Sequence, residues 1–188
     1  VTTTDELIPS GETSSFRSNP LRLAEFTLSR KDPAYVGRAK AVKALDEART
    51  AGTLPEEVQA VYAALEKASY KPNAAATNIG SAIFANKPGD GSAREQAASC
   101  QKVLGGFANI CYQFATKRYR SNCINWGIVP FTIAPDTPFD YVAGDMVFVP
   151  GIRKAMEEGK EEIDAQVITK DGVKPIHLFF NNLGKAER

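Results

Sequence analysis

With 43% apolar residues among 188, the chain can bury one sizeable core and leaves little room for a second independent one. Its 23 Lys and Arg nearly balance 22 Asp and Glu, so no overall field favours nucleic acid or an anionic membrane, and any anion recognition must be local. No run of about 18 apolar residues is present to span a bilayer, and Cys100, Cys111 and Cys123 lack a CxxC pair for zinc, a cluster or a redox dithiol; they read as free buried thiols of a soluble, cytoplasmic protein.

Residues 1–20 begin Val1-Thr2-Thr3-Thr4, with neither Met nor a signal-peptide pattern. They are rich in Ser, Thr, Pro and Gly and read as an extended or looped lead-in, cut from a longer polypeptide. Leu21–Arg30 reads as a short helix. A longer helix opens at Asp32-Pro33, a capping acid followed by Pro at the first helical position. It carries Val36, Ala39, Val42, Leu45 and Ala48 at near-helical spacing and ends at Gly52. The next has Thr53-x-x-Glu56 as a capping box, with Val58, Val61, Tyr62 and Leu65 along one face. The two are expected to form a helical hairpin whose charges, Lys40, Lys43, Asp46, Glu47, Glu56 and Glu57, are a solvated face. Past Asn73 the pattern is mixed. NIGSAIFA (78–85) reads as a strand, the Gly-rich PGDGS follows, Arg94–Leu104 reads as a helix ended by Gly105-Gly106, and FANICYQFA (107–115) reads as a second strand. That order is the unit in which a parallel strand pair places its loop at the carboxyl end of the sheet. VPFTI (129–133), DMVFV (145–149), EIDAQVIT (162–169) and KPIHLFF (174–180) are further strands, the last two joined by a turn at Lys170-Asp171-Gly172.

The stretch PGDGSAREQAAS (88–99) supports two readings. Ser92-Ala93-Arg94-Glu95 fits the S-x-x-E capping box, which needs no function. Glycines on both sides of Asp90 also let backbone approach a ligand closely, in front of a helix N-terminus whose unpaired N–H groups and partial positive charge suit an anion. A P-loop would need Lys-Ser/Thr after its last glycine, and a nucleophile elbow would need glycines two residues either side of Ser92; neither pattern is met.

GDGSAREQAA resembles the Gly-x-Gly-Ser-Ser-Arg-Glu-His-Ala signature of the swivelling domain of aconitases and isopropylmalate isomerases. TTDELIPSGETSSFRSN (3–19) is similar to the family's Thr-Ser-Asp-His-Ile segment with its Phe-Arg pair, here Phe16 and Arg17. FATKRYRSNCINWGIVPFTI (114–133) resembles the Phe-Ala…Asn…Gly-Leu-Leu-Pro run, with a Phe to Asn spacing about one residue longer. The resemblance implies one α/β swivelling domain over 1–188, in three layers of β, β and α, with an N-terminal helical hairpin at 30–70 added to it.

By the same resemblance Ser92 is the catalytic base, as its alkoxide, Arg94 and Arg17 bind substrate carboxylates, and Gly91 and Ala93 line the substrate. The implied reaction is reversible dehydration of a hydroxy di- or tricarboxylic acid. A [4Fe-4S] cluster is implied as Lewis acid, held by other domains and not by this chain, whose partners would be the cluster-bearing domains of the same polypeptide. The residue types suit the chemistry: guanidinium forks hold carboxylates bidentately, and an alkoxide needs the positive environment of a helix N-terminus and neighbouring Arg. Ala93 stands where the family commonly has a second serine and Gln96 where it has His, changes that alter specificity. Two other readings stand beside this one: a stand-alone small subunit of an isopropylmalate-type isomerase, and a non-catalytic anion-binding module in which Ser92 only caps. Elsewhere, His177 reads as an ordinary strand residue, Lys117, Arg118 and Arg120 as surface or domain-contact charges, and Trp126 as core.

Overall fold

A computed structural model describes residues 2–8, 18–29, 31–73, 76–91 and 94–180, apart from the side chains of Asp5 and Arg94. In chain order the first elements are β1 (Thr2–Thr3), α1 (Thr4–Leu7), α2 (Pro20–Ala24), α3 (Tyr35–Thr50), α4 (Glu56–Lys67), β2 (Ser81–Ala85) and β3 (Pro88–Asp90). Then come α5 (Arg94–Val103), β4 (Gly106–Cys111), α6 (Lys117–Asn125), β5 (Val129–Thr132), β6 (Met146–Phe148), α7 (Ile152–Glu157), β7 (Glu162–Thr169) and β8 (Gly172–Phe179).

Six strands form one mixed sheet in the order β2-β4-β5-β8-β7-β6, parallel in its first half and antiparallel in its second. Successive strand side chains point to opposite faces. From the parallel half, Phe84, Ala108, Ile110, Val129 and Phe131 pack with Ala165, Val167, Ile176 and Leu178 of β7 and β8. On the other side Ile83 packs among Ala97, Ala98 and Cys100 of α5 and Leu7, Leu23, Ala39 and Cys123 of the remaining helices. Helices, parallel strands and antiparallel strands therefore stack as three layers, the expected β/β/α arrangement. Pro175 sits inside β8 because β5 pairs with that strand only at Phe179 and leaves the edge at Pro175 without a ladder to complete. Among the described residues no helix is long and apolar enough to cross a membrane.

Several local expectations change. The lead-in is not all loop: Thr3 and Glu6 form a reciprocal capping box for α1, with Glu6 N–H donating to Thr3 Oγ1 (3.2 Å) and Thr3 N–H to Glu6 Oε2 (2.8 Å). Thr3-x-x-Glu6 is the pattern that went unread there. The helix expected over Leu21–Arg30 is only α2, capped by Asn19 and finished by Ala24. α3 starts at Tyr35, since Asp32 is engaged in an ion pair with Arg38 and caps nothing. Thr53 is not the cap of α4; its N–H closes the end of α3 on Ala48 O, and Pro55 stands at the N-cap. Asp46 is not a solvated charge, because it accepts from Arg49 Nε and from Ile79 N–H (both 2.9 Å) and ties α3 to the approach to β2. α3 packs against β2 and α4 against β7 and β8, so the two helices reach different parts of the sheet. α7 was not anticipated; Ile152, Ala155 and Met156 supply its apolar face. Trp126 is 40% exposed, because α6 ends at Asn125 and the indole leaves the face that buries Tyr119 and Cys123.

Candidate active site

The Gly-rich turn is held from three sides. β3 pairs in parallel with β1, Thr2 opposite Pro88 and Thr3 opposite Asp90, and Thr2 N–H donates to Lys87 O (2.9 Å). The segment after β4 bonds the other edge: Gln113 N–H to Asn86 O (3.3 Å), Ala115 N–H to Pro88 O (2.8 Å) and Thr116 Oγ1 to Gly89 O (3.0 Å). From below, Tyr119 of α6 presses against Gly89, where a Cβ would lie 2.4 Å from the ring. Gly89 and Gly91 have φ of +103° and +115°, values that side chains rarely adopt, so both glycines are required by conformation as well as by space. Residues 3–6, 89–91 and 114–119, drawn from the three stretches that carried the resemblance, are thus brought together.

Gly91 is half-buried and leads towards α5, of which Arg94 is the first residue. Ser92, Ala93 and Arg17 lie outside the described residues, as does the Arg94 side chain, and with Ser92 the capping box expected at Ser92-x-x-Glu95. Opposite Gly91 stands Thr4, fully buried; its Oγ1 would be 2.5 Å from a Cβ at Gly91 and has no hydrogen-bond partner among the described residues. Thr4 was missed, its only sequence signal being the Thr-Thr-Asp segment itself.

Beneath the turn runs a buried polar chain that periodicity did not single out. Gln101 Nε2 donates to Asn109 Oδ1 (2.7 Å), and Asn109 Nδ2 to Tyr119 Oη (3.0 Å) and towards Cys123 Sγ (3.4 Å). Burial drives the Tyr119 hydroxyl well above its ordinary range and pushes the thiols of Cys100 and Cys123 up to about 11 and that of Cys111 to about 12. These are protonated core thiols and not thiolate ligands. No group of three His, Cys, Asp or Glu among the described residues could hold a metal ion, so they do not fit an iron-sulfur cluster.

Lys117 and Arg120 line a cleft of about 270 Å³ with Gln113, Phe114, Thr116 and Thr132, at the carboxyl ends of β4 and β5 and beside the turn. His177 lies on the antiparallel half, with Nδ1 2.6 Å from Asp164 Oδ1 and Nε2 3.3 Å from Glu162 Oε2. Chiefly the hydrogen bond to Asp164 raises its pKa.

A family model described as the aconitase C-terminal domain matches residues 41–136, from within α3 through β5. Most of the helical segment at 30–70, uncovered by the motifs, is inside that span. A protein named as a putative mitochondrial aconitate hydratase of Emericella nidulans is 35% identical over 86 residues, 45% of this chain and 11% of that protein. One of the same name from Aspergillus fumigatus is 35% identical over 88 residues, 46% of this chain and 11% of the relative. The chain thus covers about a tenth of the length of these relatives. A match across half of its residues, centred on the elements that build the turn, is enough to place it: the chain belongs to the family of aconitase C-terminal domains.

Proposed function

We propose that this chain is the swivelling domain of an aconitase-like hydro-lyase, which closes over the rest of the same polypeptide and presents Ser92, Arg94 and Arg17 to a hydroxy di- or tricarboxylic acid. The observation that carries this reading is the parallel pairing of β1 with β3, which sets the start of the Thr-Thr-Asp segment against the Gly-rich turn. Ser92 Oγ, as alkoxide, takes the proton from the carbon next to a substrate carboxylate, and the electron pair left behind forms the double bond as hydroxide departs. Negative charge develops on that carboxylate during the step, and two guanidinium forks at positions 94 and 17 stabilise it in a site closed to water. Gly91 and Ala93 leave room for the substrate to approach the backbone. A [4Fe-4S] cluster supplied by the remainder of the polypeptide would act as Lewis acid. The matched relatives are named as mitochondrial; the three buried free thiols support a reducing compartment, and we keep the cytoplasm as the proposal within that class.

In the complete enzyme Ser92→Ala is expected to lower turnover by several orders of magnitude with little change in KM. Steady-state kinetics on citrate, isocitrate and isopropylmalate would test it, and near-normal turnover of the variant removes Ser92 as the base.

A further inference from the structure

The cleft beside the turn collects positive charge that the proposed reaction does not use. Helix α6 begins Lys117-Arg118-Tyr119-Arg120 and carries no acid, in a chain whose net charge is only +1. Around α1 to α3 the cations meet acids close by: Lys31 with Glu6, Arg38 with Asp32, Lys40 with Glu25 and Arg49 with Asp46. The Lys117 side chain meets none among the described residues, and no acid lines the cleft, whose walls besides Lys117 and Arg120 are aromatic, apolar or uncharged polar. The backbone at the start of α6 is not the source of attraction. Thr116 Oγ1 accepts from Tyr119 N–H (3.2 Å) and donates to Gly89 O (3.0 Å), so that cap is satisfied within the chain and the side-chain charge is what remains. The same bond, with Ala115 N–H to Pro88 O (2.8 Å), makes the cleft wall and the turn one bonded unit, so a surface that covers one covers the other.

We infer that this cleft is the docking site for an acidic side chain, Asp or Glu, carried by the rest of the same polypeptide, which enters beside Lys117 and Arg120 when the domain closes. The inference rests on the proposed swivelling reading and adds to it the contact that fixes the closed register. Shutting water from the turn takes water from the two cations as well. A cation that loses its water without gaining a carboxylate is strongly disfavoured, whereas a paired one is compensated and selects a single arrangement of the two surfaces. The cleft, about 270 Å³, falls short of the roughly 300–1,000 Å³ of small-molecule sites, yet has room for a side chain. Because the chain covers only about a tenth of the length of its matched relatives, such a polypeptide has ample chain to supply the acid. The substrate's own carboxylates are assigned to Arg94 and Arg17.

The test is carbodiimide coupling of the complete polypeptide, with and without tricarballylate, a tricarboxylate that has no hydroxyl to lose, read by peptide mass spectrometry. The reagent joins a lysine amine to a carboxylate where the two are in contact. The expected product links Lys117 to one Asp or Glu outside residues 1–188, in a yield that rises with tricarballylate. Lys117→Glu is expected to lower kcat/KM on the order of tenfold to a hundredfold, by the same factor for isocitrate and isopropylmalate, while Lys174→Glu on the antiparallel half stays within about twofold. Reversing the linked acid to Lys in the Lys117→Glu background should restore most of the loss. Tricarballylate coupled to Lys117 would make the substrate the occupant, and links confined to residues 1–188, or none at Lys117, would leave the cleft without an outside acid; each overturns the inference, as does unchanged kcat/KM in Lys117→Glu. The coupling does not depend on Ser92. If Ser92→Ala keeps its activity, that residue falls as the base, and the cross-link still decides on the docking site.

Discussion

Gly89 shows how much one missing side chain decides. Its carbonyl accepts from Thr116, its φ is +103°, and its Cβ direction runs into the ring of a tyrosine that is only 1% exposed. Gly144 has almost the same φ, +101°, but open space around it, and so separates conformational strain from collision. Gly144→Ala is expected to cost about 1 kcal/mol, the strain alone. Gly89→Ala should cost about 2–4 kcal/mol, because the buried Tyr119 cannot yield without disturbing its neighbours. Urea unfolding of the two variants checks this, and equal losses would mean that the ring moves aside. The glycines themselves were legible in PGDGS. Which atoms demand them was not, because Tyr119 is 30 residues further along and belongs to a helix that the basic run Lys117, Arg118 and Arg120 concealed.

At the scale of elements, α5, β4 and α6 are joined by Gln101, Asn109 and Tyr119, polar groups that are at most 2% exposed. Each of these side chains comes from a different element, so the chain sets the spacing of two helices on one strand, and with it the seat of the turn. Removing the middle member leaves Tyr119 Oη without its donor and opens a cavity. Asn109→Ala is expected to destabilise by about 2–4 kcal/mol. A double-mutant cycle with Tyr119→Phe should return a coupling of about 0.5–3 kcal/mol, measured by equilibrium unfolding; additivity would show that the two residues act independently. An asparagine inside the apolar run FANIC was a readable sign of a buried polar partner, but the run alone could not name Gln101 and Tyr119 as the groups it meets. Helix beginnings at Tyr35 and Glu56 were misread for a related reason. Asp32 and Thr53 had the right chemistry to cap, but Asp32 pairs with Arg38 six residues on, and Thr53 gives its backbone N–H to Ala48 O at the end of α3.

For the molecule as a whole, the pH dependence of stability follows from its thiols. The ordinary thiol value is 9.0, and in the folded protein Cys100 and Cys123 hold their protons to about 11 and Cys111 to about 12. Above pH 9 the unfolded chain therefore binds fewer protons at these thiols than the folded one, so the stability they contribute is full below that value and is lost as pH rises through the folded values. Urea midpoints taken from pH 8 to 11 are expected to decline from 9 upward, and a flat profile would mean that the thiols ionise in place. The sequence by itself determined β2, the Gly-rich turn ahead of α5, β4, the later strands β5 to β8 and the family pattern, because period-two and helical spacing and turn glycines are local signals; it did not show β3, α6 or α7. Only the tertiary structure decided that Thr2 and Pro88 are neighbours, that α3 and α4 serve different parts of the sheet, and that the Thr4 hydroxyl faces Gly91 with no described partner. A two-residue strand has no period to read, and what a buried hydroxyl meets is settled by chain segments far from it in sequence.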